Sequence, residues 1–331
     1  MKIFYGMGSG LRQNLDFTDL KRMPVVVPSR EEQECIVGFF AHSDRLVNRL
    51  IRAKRQLIAL LNEQKQAIVH RAVTCGLDPN VRLKPSGIDW LGDVPEHWEV
   101  LPFTKCVLER ADYRGATPEK VDSGVFLVTA KNIRKGWIDY ESSKEYVRAD
   151  QYQKIMRRGL PRKGDVLLTT EAPLGHVALV DREDIALAQR IIRFRLDERR
   201  LLPHFALLSM LSVYFQNQLL VRSTGSTAQG IKASKLPQLL ILQPPLEEQH
   251  ELLRVIGSET EDCDRLMDRA NREIDLLREY RTRQVADVVT GKLDIRGVEL
   301  HTLEDIEALE DWDASEDAQA DEMDEMEGVD V

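Results

Sequence analysis

The sequence predicts an α/β domain carried between two long helices that pair as an antiparallel coiled coil. Three observations lead there. A segment near the amino terminus recurs without gaps later in the chain, both copies place apolar residues at alternating three- and four-residue steps, and the stretch between them alternates strand-like and helical patterns.

The repeat sets the element order. Pro28, Glu31, Glu32 and Gln33 fall on Pro244, Glu247, Glu248 and Gln249, a shift of 216 residues. In the same register Arg49-Leu50 falls on Arg265-Leu266, Leu60-Leu61 on Leu276-Leu277, Val73-Thr74 on Val289-Thr290 and Leu77-Asp78 on Leu293-Asp294. Each copy reads as a helix of about 45 residues, roughly 65 Å long. The expected boundaries are 29–78 and 246–292.

The apolar steps define a seam on each helix. In the first copy it comprises Val37, Phe40, Val47, Ile51, Ile58, Leu61, Ile68 and Ala72. In the second it comprises Leu253, Ile256, Cys263, Met267, Ala270, Ile274, Leu277 and Val288. Asp44, Lys54 and Lys65 interrupt the first seam, and Thr260 and Arg281 the second. Polar residues at such positions fix register or partner at a cost in stability.

A Pro- and Gly-containing connector (79–99) leads to the α/β domain (100–245). Its strand candidates are Gly124–Thr129, Asp165–Thr170, Val177–Val180 and Ile191–Arg195, and Pro203–Val221 reads as one helix with Phe205, Leu208, Leu211, Phe215 and Leu219 on its apolar face. The chain ends in an acidic stretch (293–331) expected to be disordered and solvating.

Charge distribution qualifies the net value of -9. Thr302 to Val331 holds fourteen acidic and no basic residues, so the remainder carries +5; Leu101 to Pro245 holds 23 basic and 15 acidic residues, or +8. The middle of the chain is basic, as a nucleic-acid partner requires. No run of eighteen apolar residues occurs, and the first fifteen residues lack a signal-peptide pattern. Cys35, Cys75, Cys106 and Cys263 are too far apart in sequence for a zinc or disulfide framework, so they read as reduced thiols in a cytoplasmic protein without membrane contact.

The paired stretches resemble the specificity subunit of type I restriction-modification systems. They are Pro28-Ser-Arg-Glu-Glu-Gln33 and Pro244-Pro-Leu-Glu-Glu-Gln249 at the helix starts, and Ala72-Val-Thr-Cys-Gly-Leu-Asp78 and Val288-Val-Thr-Gly-Lys-Leu-Asp294 at the ends. Gly92–Glu99, Gly164–Thr169 and Gly225–Gly230 resemble the family as well. Members usually carry two target-recognition domains, each before one helix. Here 1–28 reads as the carboxy-terminal remnant of a first such domain, because Gly8–Leu15 and Lys21–Pro24 parallel Gly225–Gly230 and Lys235–Pro237. The resemblance thus implies a half-length subunit with one complete target-recognition domain, 100–245.

By the same resemblance the chain is a non-catalytic, DNA-binding subunit. Its partners are double-stranded DNA, modification (methyltransferase) subunits docked on the helices, and restriction subunits joined through them, with a second copy of itself as a further partner. S-adenosylmethionine, ATP and Mg belong to those partner subunits, and this chain binds no cofactor or metal. The residues agree: there is no Asn/Asp-Pro-Pro-Tyr/Phe loop, P-loop or His-Glu-x-x-His motif, and Gly6–Gly10 lacks a preceding strand. Asp165 with Glu171 lacks the following lysine of a metal nuclease, and a turn before a strand explains the aspartate better. The rival reading is a truncated orphan assembly module, a coiled coil without sequence-specific DNA binding.

Phosphates require Lys and Arg, and base edges require Arg, Asn, Gln, Ser or Thr. Three clusters supply them: Lys131, Asn132, Arg134 and Lys135 after a strand; Arg157, Arg158, Arg162 and Lys163; and a polar loop with Ser226, Thr227, Gln229 and Lys232. Of Gln189, Arg190, Arg193 and Arg195, at most half can face DNA, since successive strand residues point to opposite faces. Trp90, His97 and Trp98 are expected to pack the connector on the core, and His176 to be structural.

Overall fold

The computed structural model describes residues 27–113, 118–225 and 229–298, with Phe17 and Lys21. In chain order the elements are α1 (Arg30–Cys75), β1 (Leu83–Pro85), β2 (Asp93–Pro95), β3 (Glu99–Pro102), β4 (Val107–Asp112), β5 (Val125–Val128), β6 (Tyr146–Val147), α2 (Tyr152–Ile155), β7 (Val166–Thr170), β8 (Leu174–Leu179), β9 (Ile185–Leu187), β10 (Ile191–Leu196), α3 (Pro203–Leu211), α4 (Val213–Arg222), β11 (Leu240–Gln243) and α5 (Leu246–Val289). Two compact units divide the chain, one of residues 1–56 with 270–331 and one of 57–269. The remnant expected before Pro28 lies, apart from Phe17, Lys21 and Val27, outside the described residues, and so does everything after Val298.

The two long helices start and stop by the same chemistry. Two glutamates occupy each first turn, Glu31 and Glu32 in α1 and Glu247 and Glu248 in α5, where the positive end of the helix dipole favours them. The glutamine that follows turns back on the proline: Gln33 Nε2 donates to Pro28 O (2.9 Å), and Gln249 Nε2 to Pro244 O (2.8 Å). Gly76 and Gly291 follow the helices at φ 74° and 71°, the left-handed geometry in which glycine closes a helix end without a Cβ clash.

Within the first unit, Ser43 Oγ donates to Gln284 Oε1 (2.6 Å), Arg281 pairs with Asp44 (2.8 Å) and Lys54 with Glu273 (2.7 Å). As the α1 number rises its partner number falls. In the second unit Lys65 pairs with Asp264 (2.6 Å). The polar interruptions Asp44, Lys54 and Lys65 therefore each have an opposite charge on the other helix. Val47, Leu61, Ile256, Cys263, Ala270, Ile274 and Val288 are buried; Phe40, Ile51, Ile58, Leu253, Met267 and Leu277 are half-buried. Val37 departs from the expected seam, being 67% exposed. Its repeat counterpart Leu253 packs on the core of the sheet domain.

The second unit is built on a four-stranded antiparallel sheet of order β4-β10-β7-β8. Beside it are β6-β5-β9, with β5 and β9 parallel, and the pairs β3-β11 and β1-β2. The sheet is covered on both faces, which is why β7 is buried along its whole length. Ile192, Phe194 and Val166 join Phe103, Phe205 and Phe215 in one core, while Ile191 and Leu167 join Leu127, Ile133 and Met156 in another. The helix expected over Pro203–Val221 is broken in two at Ser212, whose backbone is extended (ψ 156°). Ser212 caps the second helix through its carbonyl, which accepts from Phe215 and Gln216, and the Gln216 side chain donates to Met210 O (2.6 Å). Polar groups of Ser212 and Gln216 thus replace the helical bonds lost at the break.

All four cysteines are free, and burial pushes the Cys106 thiol up to about 11. The segment expected to begin a disordered tail starts instead with a turn, in which Ile295 is buried and Arg296 bonds Asp294 through Nε (2.9 Å). Among the described residues no helix is long and apolar enough to cross a membrane.

Asp165, 3% exposed at the start of β7, accepts from Arg193 Nη1 (2.9 Å) and from Arg195 Nε and Nη2 (3.0 Å each). Arg193 itself is 1% exposed. Breaking a buried pair from one side strands the other charge. Arg193→Ala is therefore expected to destabilise the chain by about 3 kcal/mol, the remaining Arg195 bonds limiting the loss. Urea unfolding followed by circular dichroism measures it, and a shift below about 0.5 kcal/mol would show that the pair contributes little.

Candidate nucleic-acid interface

Three segments meet at one end of the four-stranded sheet. Glu171–Pro173 turn from β7 into β8, Arg190 precedes β10, and 223–232 follows α4. Register brings the first two together, because Ile191 stands opposite Thr169. Thr170 then donates twice to Arg190 O, from its amide (2.8 Å) and its hydroxyl (3.2 Å). Ile231 N donates to Thr170 O (2.9 Å), Glu171 bridges Gly230, and Thr224 and Gly230 exchange two bonds (2.9 and 3.0 Å). A Cβ at position 230 would lie 3.3 Å from both Glu171 Cβ and Thr170 O, a contact that requires the neighbours to give by a few tenths of an ångström.

Two residues at this end hold left-handed backbone without being glycine, Ala172 (φ 43°) and Arg190 (φ 77°). Each costs on the order of 1 kcal/mol and persists only where surrounding bonds enforce it. Arg190 is 48% exposed, and its Nε lies 3.0 Å from Glu171 Oε1. Arg193 and Arg195 project into the Asp165 and Glu109 carboxylates instead. Burial works to lower the Arg195 pKa, yet the hydrogen bond and charge of Asp165, with the charge of Glu109, hold it above its ordinary value. Of the arginines on and before β10, Arg190 alone is exposed.

The first expected cluster divides. Asn132 is fully buried, its Oδ1 accepting from Thr129 N and Oγ1 and its Nδ2 donating to Asp139 O and Ser143 O, all at 2.9 Å. With those bonds made it shapes the loop and offers nothing to a base. Lys131, Arg134 and Lys135 are exposed, Arg134 pairing with Asp139 (3.2 Å). Arg134 N donates to Trp137 O (2.9 Å), and Gly136, at φ 109°, donates to Val177 O (2.8 Å), so this turn lies alongside β8. His176 Nδ1 lies 2.8 Å from Ile133 O and holds the turn's base, a structural role. Trp137, 57% exposed beside Lys135, escaped the sequence reading; only a large aromatic next to a basic Gly turn signalled it.

In the second cluster Arg157, Arg158, Arg162 and Lys163 are all exposed. Arg158 donates to Asp112 O, at the end of β4. The Arg162 and Lys163 amides bond Asp165 Oδ2 (2.9 Å) and Glu183 Oε1 (3.1 Å), which fixes the turn before β7. In the third, Gln229 and Lys232 are exposed, while Ser226 and Thr227 lie outside the described residues. The connector aromatics are packing groups: Trp98 is fully buried with Nε1 donating to Glu248 Oε1 (3.1 Å), His97 Nε2 lies 2.7 Å from Glu248 Oε2, and Trp90 Nε1 donates to Tyr214 O (3.2 Å). Asp165 is committed to arginines, and no group of three or more His, Cys, Asp or Glu suited to a metal occurs among the described residues.

Residues 129–275 match the type I restriction modification DNA specificity domain, which takes in every segment of this interface. The chain is 23% identical over 297 residues to the type I restriction enzyme MjaVIII specificity subunit of Methanocaldococcus jannaschii, covering 88% of this chain and 67% of that protein. It is 24% identical over 208 residues to the EcoBI specificity subunit of Escherichia coli, covering 60% of this chain and 43% of that one. A chain from a type I R-M system solved to explain complex assembly and conformational transition shares the fold, with a TM-score of 0.55 at 14% identity, over 81% of this chain and 62% of that one.

The chain is similar to the type I restriction-modification specificity subunits, and it spans about two thirds or less of the length of these relatives.

Asn132→Ala removes four bonds made by a buried side chain and is expected to lower stability by about 2 kcal/mol. Lys135→Ala, on an exposed turn, is expected to stay within about 0.5 kcal/mol of the parent. Thermal unfolding of both variants checks the division. Equal stability would mean that Asn132 is not the loop's anchor.

Proposed function

We propose that the chain is the DNA-reading subunit of a type I restriction-modification complex. One observation carries this: the exposed groups of three segments, Glu171, Arg190, and Gln229 with Lys232, gather at one end of a two-sided sheet, with the Lys131–Trp137 turn flanking β8. Arginines placed farther along β10 are neutralised internally. Such a rim suits a duplex, with phosphates meeting Lys131, Lys135 and Arg157 and base edges meeting the loop tips.

Helices α1 and α5 act in this reading as an antiparallel coiled coil. The falling partner numbers along α1 and the buried positions at alternating three- and four-residue steps support it. Modification subunits dock on the coiled coil and bring S-adenosylmethionine, while restriction subunits join through them with ATP and Mg; the complex works in the cytoplasm. The domain over 100–245 reads one half of a split target. Two copies then mark an inverted repeat with a fixed gap, a symmetric arrangement for which repeated seams are suited.

Binding to duplex DNA is expected to fall linearly in log-log form with salt, and Lys135→Ala to reduce that slope by about 0.9, one phosphate contact. A flat response in the parent would remove DNA binding from the chain and favour the orphan assembly module. Leu277→Asp places a charge in the seam and is expected to weaken assembly with modification subunits while leaving the recognition domain folded. Light-scattering mass of the reconstituted complex reads the assembly, and one specificity chain per complex would refute the two-copy arrangement.

A further inference from the structure

Arg190 is exposed and yet restrained in both its backbone and its side chain. Its φ of 77° is imposed from outside, since Thr170 donates twice to its carbonyl and Ile191, the next residue, is fully buried in β10. Its side chain is aimed as well, because Glu171 Oε1 engages Nε at 3.0 Å. A guanidinium carries five N–H donors, so an Nε contact leaves four on the two terminal nitrogens. Those are the donors that make parallel bonds to two acceptors.

The pair's chemistry discriminates between nucleic-acid groups. A phosphate oxygen approaching Arg190 would also approach the Glu171 carboxylate and be repelled, so the pair is poorly suited to backbone contact. A base edge is neutral. In the major groove guanine presents two acceptors, N7 and O6, side by side, and its paired cytosine presents the N4 amine as a donor. Arg190 suits the first and Glu171 the second. Adenine, which places a donor where guanine has O6, leaves one guanidinium N–H facing another donor. Gly230 bridges Glu171, which brings the segment of Gln229 and Lys232 beside the pair.

We propose that Arg190 is a specificity-determining residue that reads a guanine in the target, with Glu171 positioning its guanidinium and accepting from the paired cytosine. This rests on the DNA-reading function argued above. The pair requires one G·C base pair in the recognised sequence and a neutral contact there.

The test uses the full-length chain and a library of duplexes with a randomised core, sequencing the bound fraction for the parent, Arg190→Gly, Arg190→Lys and Glu171→Gln. Glycine adopts the left-handed backbone at 190 freely, so the first variant removes the guanidinium without straining the loop. Lysine keeps the charge and loses the fork. Both are expected to lose a guanine preference of roughly 5- to 150-fold at one position, with the other positions and the affinity for scrambled duplex little changed. Glu171→Gln is expected to weaken that preference and raise affinity for scrambled duplex. Equal loss across all sequences in Arg190→Gly, restored by Arg190→Lys, would make Arg190 a phosphate contact and overturn the assignment. Unchanged preferences in both Arg190 variants would overturn it too, and Arg190→Lys decides the matter if the glycine variant does not fold. A parent chain that binds duplexes without selecting any sequence would sink the DNA-reading function itself, an outcome distinct from these.

Discussion

The sheet domain depends on one buried carboxylate. Asp165 immediately precedes the inner strand β7, is almost inaccessible, and gathers the Arg193 and Arg195 guanidiniums together with the Arg162 amide. A charge in that position is tolerable only with full hydrogen bonding, and the arginines supply it from the adjacent strand. The consequence reaches the surface. Two of the arginines on and before β10 are committed to the interior, which leaves Arg190 at the exposed end of the same strand.

That end of the sheet is held by backbone bonds more than by side-chain packing. Thr170, Arg190, Ile231 and Gly230 form a continuous hydrogen-bonded patch that lies just beyond two hydrophobic cores. Residues in unfavourable backbone regions persist there because the sheet over-determines them, and such sites commonly coincide with binding surfaces. The flanking turn at Arg134–Trp137 is fixed in a similar manner, through the buried Asn132 amide and the Gly136 bond to Val177. Rigid loops on a rigid sheet lose little entropy on meeting a partner.

The Glu-Glu-Gln motif links the helices to the domain and shows what a repeat can mean energetically. In the second copy Gln249 is fully buried and also bonds Arg200 O and Leu202 N, while Glu248 holds His97 and Trp98. In the first copy Gln33 is exposed and keeps the bond to Pro28 O. The shared bond shapes the helix start, and the additional bonds of the second copy seat the sheet domain on it.

Sequence alone determined the long helices, their polar interruptions, the basic middle of the chain and the principal strands. Those features are written in local periodicity and in the gapless repeat, both of which survive without knowledge of distant contacts. It also implied the family. Tertiary structure alone decided which polar residues face outward. Asn132 and Arg193 have the composition of DNA contacts but are buried, because turn geometry and the position of Asp165 consume their donors. Val37 shares the spacing of the seam but is exposed, Ser212 breaks an apparently continuous apolar helix, and Glu171 meets Arg190 across nineteen residues. Each of these outcomes turns on which distant group satisfies a donor, an acceptor or an apolar side chain, and local spacing carries no record of that.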